Sequence, residues 1–285
     1  MSPEGKPKPN LPENRPNASV PETKLDAILS ATRDRVASLR SRARELERRA
    51  RATPDPRPFA PALAGREVGV IAEVKRRSPS AGPIREDLDP VAHARAYVRG
   101  GAVSISVLTD ELHFGGSLDD LAQVASAVPV PVLRKDFMLD ELQLYEARAA
   151  GASAVLLIVR ALTSDGLRVL ARAARDQGLG VLVEVHSVSE LELALGVDPT
   201  AVGVNSRDLA TFAVDLGRAE QLVALVPGGV PVIAESGIAT RADVERMAAA
   251  GADLVLVGTS VARTAEPSEA VRALTGVVRR GRPGT

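Results

Sequence analysis

The segment VGVIAEVKRRSPSAGPI, from Val68 to Ile84, ends an apolar run with a carboxylate and an ammonium group. Side chains two residues apart lie on the same face of a β-strand, so Glu73 and Lys75 are predicted to share a face with Ile71. Burying two charges costs free energy, which favours a site that performs acid–base chemistry or binds a ligand. A structural ion pair at the end of a strand is the alternative interpretation.

Polar side chains also follow several later apolar runs of the chain. The alternation of side chains places Glu184, Asn205 and Glu235 on the inward faces of their predicted strands. Lysines, glutamates and an asparagine at one rim are hard to explain by packing, because charged groups are rarely buried without a partner. They therefore predict acid–base chemistry by lysine and glutamate. The polar strand ends are Arg134-Lys135-Asp136-Phe137, Glu184, Asn205-Ser206-Arg207 and Glu235-Ser236-Gly237.

Two glycine-containing turns near the C-terminus indicate a phosphate site. The segments ESGI (Glu235–Ile238) and VGTS (Val257–Ser260) place glycine beside hydroxyl residues where a helix or a turn should begin. Backbone N–H groups at such positions bind phosphate, and the last two strands of a barrel often carry this site. Ser78 and Lys75 of the first loop are predicted to complete it.

Aromatic residues make up only 2% of the chain, so their positions are informative. Phe114 follows the second predicted strand and Phe137 follows the third, with Leu157 of the fourth strand nearby. Packing of loops against the barrel mouth is one interpretation, and an apolar slot for an aromatic ring is the other. The residues thus favour a substrate with a phosphate at one end and a ring at the other.

Short apolar runs alternate with amphipathic segments from Val68 onward, which predicts strands joined by single helices and hence a parallel sheet. Eight such units predict a (β/α)8 TIM barrel, whose active site lies at the C-terminal ends of the strands. A doubly wound open sheet is the alternative, although the chain lacks the G-x-G-x-x-G turn typical of that fold. Strands are predicted near Val68–Lys75, Ala102–Leu108, Val130–Lys135, Ala154–Val159, Gly180–Val185, Ala201–Asn205, Val230–Glu235 and Asp253–Val257. Predicted helices include Asp89–Gly100, Leu118–Ala127, Asp140–Ala150, Ser164–Gln177, Ser189–Ala194 and Arg241–Ala250.

The chain of 285 residues is predicted to form one domain over residues 23–278, with an amphipathic helix over residues 25–51 ahead of the barrel. Residues 1–22 are rich in proline, asparagine and charge and are predicted to be a disordered tail, and residues 279–285 a flexible one. The formal net charge of +0 argues against nucleic-acid and membrane-surface partners. The absence of a long apolar run and of a signal-peptide core predicts a cytoplasmic location.

Long motifs in sequence order resemble one known family, indole-3-glycerol phosphate synthase of the tryptophan pathway. The resemblance extends from about Leu25 to the last barrel helix. It implies a (β/α)8 barrel with an extra N-terminal helical segment. It also implies closure of the indole ring of 1-(2-carboxyphenylamino)-1-deoxyribulose 5-phosphate, with loss of CO₂ and water and without a metal or organic cofactor. The motifs are IAEVKRRSPSAGPI, SVLTDELHFGGS, LRKDFMLDELQLYEARAAGASAVLLIV, LVEVH, VGVNSRDLATFAVDL, IAESGI and LVGTS.

The resemblance also implies roles for individual residues. Lys135 resembles the general acid that protonates the substrate carbonyl, and Lys75 the lysine that holds the substrate carboxylate and can act as a later acid. Glu184 resembles the base of the final steps, while Glu73 and Asn205 resemble residues that orient hydroxyl groups and the lysines. The other substrate-binding positions are Ser78, Ser236, Gly237, Gly258 and Thr259 for phosphate, Phe114, Phe137 and Leu157 for the ring, and Arg207 and Glu235.

Two further expectations concern this residue set. A second cation near an ammonium group lowers its pKa, which would make the lysine a stronger acid. Gly115 stands where many relatives carry a polar amide, and Thr259 where several have serine, which leaves the hydrogen bonding of the second loop open.

Competing functions remain for a barrel of this kind. Phosphoribosylanthranilate isomerase is expected to need a Cys/Asp pair, and the chain has no cysteine. A barrel that serves only as a binding scaffold should have lost its rim residues, whereas these are present. The three histidines are far apart in sequence, so no metal site is predicted. The expected partner is a small phosphorylated substrate, and the chain is expected to be a monomer or a weak homo-oligomer.

Overall fold

The computed structural model describes residues 23–282. Within that range, eight parallel strands close into a barrel, and the first strand pairs with the last, with Ile71 opposite Leu256. Closure confirms the predicted (β/α)8 barrel and excludes the doubly wound open sheet. The strands are β1 (Gly69–Val74), β2 (Ser104–Leu108), β3 (Val132–Lys135), β4 (Ala154–Ile158), β5 (Gly180–Val185), β6 (Ala201–Asn205), β7 (Val232–Glu235) and β8 (Leu254–Val257).

Helices connect the strands on the outside of the barrel, and the predicted ones are present with small differences at their ends. Most begin with a side-chain cap, such as Asp89, whose carboxylate accepts from the backbone N–H groups of Val91 and Ala92. The helices are α1 (Lys24–Leu39), α2 (Ala43–Ala52), α3 (Phe59–Ala62), α4 (Pro90–Arg99), α5 (Glu111–Phe114), α6 (Leu118–Ala127), α7 (Glu141–Ala149), α8 (Ser164–Asp176), α9 (Val188–Leu195), α10 (Leu216–Leu225), α11 (Arg241–Ala250), α12 (Thr259–Ala262) and α13 (Pro267–Arg272). None of the helices within the described range is both long and apolar enough to cross a membrane.

The N-terminal helix predicted over residues 25–51 is divided into α1 and α2 by a 3₁₀ turn at Arg40–Arg42. The hydroxyl groups of Ser38 and Ser41 donate to backbone carbonyls three residues earlier. Serine side chains that bond to the backbone in this way compete with the helical pattern and bend helices. The break lets the N-terminal segment follow the curved outer surface of the barrel.

The N-terminal segment reaches both ends of the barrel. In α1, Arg35 donates to the carboxylate of Asp136, which follows β3 at the C-terminal end. In α3, the ring of Phe59 packs directly on Gly180, at the start of β5, where a β-carbon would collide with it. Phe59 and Leu63 thus close the N-terminal end with apolar side chains.

The strands separate two apolar layers, as expected from the alternation of their side chains. Outward-facing residues, such as Val155 and Leu157 of β4, pack against the surrounding helices. Inward-facing residues fill the barrel and bring the functional side chains to its mouth. The inward layer includes Ile71, Leu133, Leu156, Leu182, Ile233 and Leu256.

The C-terminal segment contacts the barrel up to Arg282, four residues beyond the predicted end of the domain at residue 278. A flexible tail is predicted over residues 279–285, and two of the three arginines within residues 279–282 form ion pairs with Asp253. Arg279 lies 3.5 Å from one carboxylate oxygen of Asp253, and Arg282 lies 2.7 Å from the other. The last three residues of the predicted tail, and the tail predicted over residues 1–22, lie outside the described residues.

Candidate active site

A cavity of about 480 Å³ opens at the C-terminal end of the barrel. This volume lies within the usual range for small-molecule sites, roughly 300–1,000 Å³. Fourteen of the fifteen residues selected from the sequence line it, so the prediction that polar strand ends converge at one mouth is confirmed. These residues are Glu73, Lys75, Ser78, Phe114, Lys135, Phe137, Glu184, Asn205, Arg207, Glu235, Ser236, Gly237, Gly258 and Thr259.

Lys135 lies at the centre of a buried charge cluster. Its Nζ is 2.9 Å from Oε2 of Glu235, 3.7 Å from Oε2 of Glu184 and 3.9 Å from Oε2 of Glu73. Lys75 forms the second cation of the cluster, with its Nζ 2.6 Å from Oε1 of Glu73. Four strands, β1, β3, β5 and β7, and the loop after β1 thus bring together two lysines and three glutamates that face the cavity.

The carboxylates set the protonation state of the central lysine. Burial alone would lower the pKa of Lys135, but the negative charges of Glu235, Glu184 and Glu73 outweigh it and raise that pKa. The expectation that a second cation lowers the pKa of the acid is therefore wrong, because the net shift of Lys135 is upward. Lys135 keeps its proton at neutral pH, which is the state that a general acid requires.

The cluster also shifts two of its carboxyl groups in opposite directions. Burial raises the pKa of Glu235 to about 7, helped by the charge of Glu184 and only partly opposed by Lys135. Burial would likewise raise the pKa of Glu73, but the ammonium groups of Lys75 and Lys135 outweigh it and keep that pKa below its ordinary value. The pKa values of Glu235 and Glu73 are thus shifted in opposite directions, although both carboxyl groups lie near Lys135.

Two glycines leave room for this cluster. A β-carbon at Gly203, in the middle of β6, would collide with Oε1 of Glu235. A β-carbon at Gly258, directly after β8, would collide with Oε1 of Glu73 and lie 3.0 Å from Nζ of Lys75. Because both positions are glycine, the carboxylates of Glu235 and Glu73 occupy space that a side chain at position 203 or 258 would take.

The turn after β7 has an unusual backbone. Ser236 and Gly237 both adopt positive φ, at 67° and 72°, a conformation that is uncommon for serine. The hydroxyl of Ser206 stabilises the turn by donating to the carbonyl of Ser236 over 2.9 Å. Thr259 begins α12 on the neighbouring strand end. These turns line the cavity opposite Lys135, and their phosphate-binding role stays a prediction.

The apolar wall of the cavity differs from the prediction at one residue. The rings of Phe114 and Phe137 lie side by side with their centroids 6.4 Å apart. Leu157 does not line the cavity, because it occupies an outward position of β4 and packs against helices. Its inward neighbours Leu156 and Ile158 face the cavity instead.

The loop after β6 contributes two apolar residues that the sequence analysis missed, Leu209 and Phe212. Phe212 has a φ of 59°, and the ammonium group of Lys24 lies 4.9 Å from the centre of its ring. The rarity of aromatic residues is the one signal that pointed to Phe212. In the same loop, the guanidinium of Arg207 donates to the carbonyl of Phe212, and burial lowers the pKa of Arg207.

The loop after β1 is tied to the loop after β2 through the backbone of Gly115. Arg76 donates to the backbone carbonyl of Gly115 over 3.0 Å and forms an ion pair with Asp120 of α6. Gly115 itself has a φ of 65°, which glycine adopts without strain. An arginine therefore makes the connection between the two loops.

A closed barrel that gathers lysines and glutamates at its C-terminal mouth defines the class of (β/α)8-barrel enzymes. The solved 3-hexulose-6-phosphate synthase from Salmonella typhimurium has this fold, with a TM-score of 0.59, 17% identity, and coverage of 73% of this chain and 96% of that one. Thiamine phosphate pyrophosphorylase from Pyrococcus furiosus gives a TM-score of 0.55 at 19% identity, over 73% of this chain and 93% of that one. At such identities the likeness concerns the fold alone.

Sequence comparison defines the family within this class. The family profile of indole-3-glycerol phosphate synthase matches residues 25–274. The enzyme of that name from Kineococcus radiotolerans is 52% identical, over 72% of this chain and 75% of its own length. That of Rhizorhabdus wittichii is 44% identical over 87% of this chain and 96% of its own. The chain belongs to the indole-3-glycerol phosphate synthase family of decarboxylating carbon–carbon lyases.

Proposed function

We propose that this chain converts 1-(2-carboxyphenylamino)-1-deoxy-D-ribulose 5-phosphate to indole-3-glycerol phosphate, with loss of CO₂ and water, in tryptophan biosynthesis. The observation that carries the proposal is the position of Lys135, held by three buried glutamates in a cavity that also contains an apolar wall and two glycine turns. Membership of the family supports the same reaction.

Ring closure requires an acid at the substrate carbonyl. A carbon of the aromatic ring attacks the carbonyl carbon, and the carbonyl oxygen takes a proton from the ammonium group of Lys135. The bond to the carboxylate then breaks, CO₂ leaves, and its electron pair restores the aromatic ring. Because aromaticity drives this step, the proposed chemistry needs no electron-accepting cofactor.

Loss of water from the ring-closed alcohol requires an acid and a base. The hydroxyl group leaves with a proton from a lysine, for which Lys75 is proposed. Glu184 removes a proton from the five-membered ring, and the electron pair left behind forms the double bond of the indole. Glu73, which pairs with Lys75 at 2.6 Å, is proposed to hold that lysine in place, and Asn205 to orient a hydroxyl of the substrate.

The two ends of the cavity fit the two ends of this substrate. The phosphate is proposed to bind at Ser78 and at the turns that contain Ser236, Gly237, Gly258 and Thr259, where backbone N–H groups can donate. The benzoate ring is proposed to lie against Phe114, Phe137 and Leu156. Arg207 and Lys75 supply positive charge for its carboxylate.

A fluorescence assay tests the proposal directly. The purified chain, given the ribulose phosphate substrate, should release a product with the fluorescence of an indole, and mass spectrometry should show the loss of CO₂ and water. An unchanged substrate, or its isomerisation without loss of CO₂, would refute the proposed function. A cytoplasmic location and a monomeric or weakly associating state are proposed with it, and size-exclusion chromatography with light scattering tests the latter.

A further inference from the structure

A buried histidine lies directly behind the proposed base and has no role in the reaction as described so far. His186 follows β5 and is only 5% exposed. Its Nε2 lies 3.5 Å from Oε1 of Glu184, and its Nδ1 lies 3.4 Å from Oε2 of Glu190 in α9. Among the described residues, neither ring nitrogen has a partner in hydrogen-bond geometry. The imidazole thus lies between two carboxylates, and each N···O distance is a few tenths of an ångström longer than a hydrogen bond.

The second carboxylate of this arrangement is fixed firmly. Oε2 of Glu190 accepts from the backbone N–H of His186 over 2.6 Å, and Oε1 accepts from the guanidinium of Arg160 over 2.6 Å. Arg160 is in turn 3.1 Å from Asp208. Burial would raise the pKa of Glu190, but its contacts with His186 and Arg160 outweigh it and lower that pKa to about 2. Glu190 therefore stays ionised. A carboxylate only accepts hydrogen bonds, so an imidazole that bonds to both Glu184 and Glu190 donates from both ring nitrogens.

A second cavity, of about 360 Å³, borders the other side of the histidine. It lies outside the barrel wall, between β6 and α10, since it is lined by the outward-facing Val204 and by Ala219 and Leu222. His186 thus lies between this outer cavity, which it lines, and Glu184, which lines the substrate cavity. A residue that only filled the core would not need a polar ring at this boundary.

We propose that His186 is a positioning residue for Glu184. Its Nε2 holds the carboxylate in the orientation that removes the final proton, while Glu190 and Arg160 fix the imidazole from behind. This arrangement, in which a third group orients the partner of a reacting side chain, is common in catalytic sites, where such contacts are often long until the substrate binds. The inference rests on the proposed function, in which Glu184 is the base.

Two substitutions at His186 test the contacts of its two ring nitrogens separately. The amide of His186→Gln reaches as far as Nε2 and retains the contact with Glu184, whereas the shorter amide of His186→Asn reaches only as far as Nδ1 and retains the contact with Glu190. We expect H186N to lower kcat by about 10- to 100-fold, with little change in KM, as the loss of an orienting group does at other sites. We expect H186Q to retain most of kcat.

The dependence of kcat on pH distinguishes a positioning role of His186 from a packing role, because a loss of packing alone should not shift the pH profile. Loss of a donor to the Glu184 carboxylate favours its protonated form, so the acidic limb of the profile should move to higher pH in H186N and stay in place in H186Q. The charged groups around the imidazole are Glu184 and Lys135 inside the barrel, Glu190 and Arg160 behind it, and Asp208, Asp215 and Arg218 around the outer cavity.

His93→Asn provides the matched control. His93 is also buried, in α4, where it contacts the ring of Tyr97 and does not line either cavity. H93N should alter stability but leave kcat and its pH profile unchanged. Equal kcat and equal profiles for H186N and H186Q would overturn the inference, as would a loss confined to KM. If the parent enzyme itself released no indole product, the proposed function would fail instead.

Discussion

The two ends of the barrel are built from the same strands and differ in what they bury. At the N-terminal end, Phe59 and Leu63 close the barrel with apolar side chains, and the ion pairs of Asp253 lie at its edge. At the C-terminal end, the barrel interior contains two lysines, three glutamates and a serine with positive φ, and one of the glutamates has a pKa near neutrality. The first arrangement adds stability, and the second costs it.

This difference indicates a division of labour along β1, β3, β5 and β7. In these four strands an inward aliphatic residue, such as Leu182, is followed two positions later by an ionisable one, such as Glu184. The closed end excludes water from below the charge cluster, so that its interactions act in a medium of low polarity. A substitution at one end should therefore change chiefly stability, and one at the other end chiefly turnover.

The largest expected effect is that of Lys135→Met at the open end. Removing the acid should lower kcat by about 10³-fold or more, because general acid catalysis contributes roughly 10²–10⁴-fold and the same group anchors three carboxylates. Steady-state kinetics with indole fluorescence measures the loss, and titration with indole-3-glycerol phosphate should show that binding persists. Near-normal kcat in this variant would mean that Lys135 is not the acid.

A pair of identical substitutions compares the two ends directly. Phe59→Ala should lower the free energy of unfolding by about 3–5 kcal/mol, because it leaves a cavity in a closed apolar layer, and should leave kcat per folded molecule unchanged. Phe137→Ala, on the wall of the substrate cavity, should raise KM and destabilise less. Denaturant unfolding and kinetics on both variants give the comparison. A larger kinetic effect from Phe59 than from Phe137 would contradict the division of labour.

Neighbouring leucines of β4 provide a comparison across the barrel wall. Leu156→Ala should raise KM by about 10-fold, within the 1–3 kcal/mol that small losses of apolar contact cost in a binding pocket. Leu157→Ala should lower stability by about 2–5 kcal/mol without a change in KM, because its side chain packs among helices. A rise in KM for Leu157→Ala alone would show that the ring is bound on a different side.

A fourth expected effect concerns the pH dependence of stability. The pKa of Glu235 is raised in the folded state to about 7, so the folded protein binds more protons than the unfolded chain between about pH 4.5 and 7. The stability that this group contributes is therefore present at low pH and is lost as the pH rises through 7. Relative to Glu235→Gln, the free energy of unfolding should fall by roughly 1–3 kcal/mol from pH 5 to pH 7. A difference that grows with pH would have the wrong sign.

Most of the barrel and its mouth could be predicted from the sequence, because both follow from short-range periodicity. The spacing of two residues placed Glu73, Glu184 and Glu235 on inward faces, and each of them faces the cavity. Closure of the barrel followed from the number of strand–helix units. Parallel strands then bring their C-terminal ends together, whatever the order of the residues between them.

The errors have two origins. Leu157 was placed in the ring pocket against the local pattern, because the same alternation that placed Glu184 correctly makes Leu156 the inward residue. The other errors arose where contacts distant in sequence decide the outcome. Phe212 lies in a loop whose course depends on contacts with Lys24 and Arg207, which no local pattern indicates. The pKa of Lys135 depends on three glutamates from three other strands, and their distances from its Nζ could not be read from the sequence.

The space left by Gly203 links two positions that are 32 residues apart in the chain. The carboxylate of Glu235 occupies the volume that a side chain on the neighbouring strand would fill. A methyl group at position 203 would displace this carboxylate, which lies 2.9 Å from Nζ of Lys135. The residues at positions 203 and 235 are therefore expected to change together in descendants of this protein.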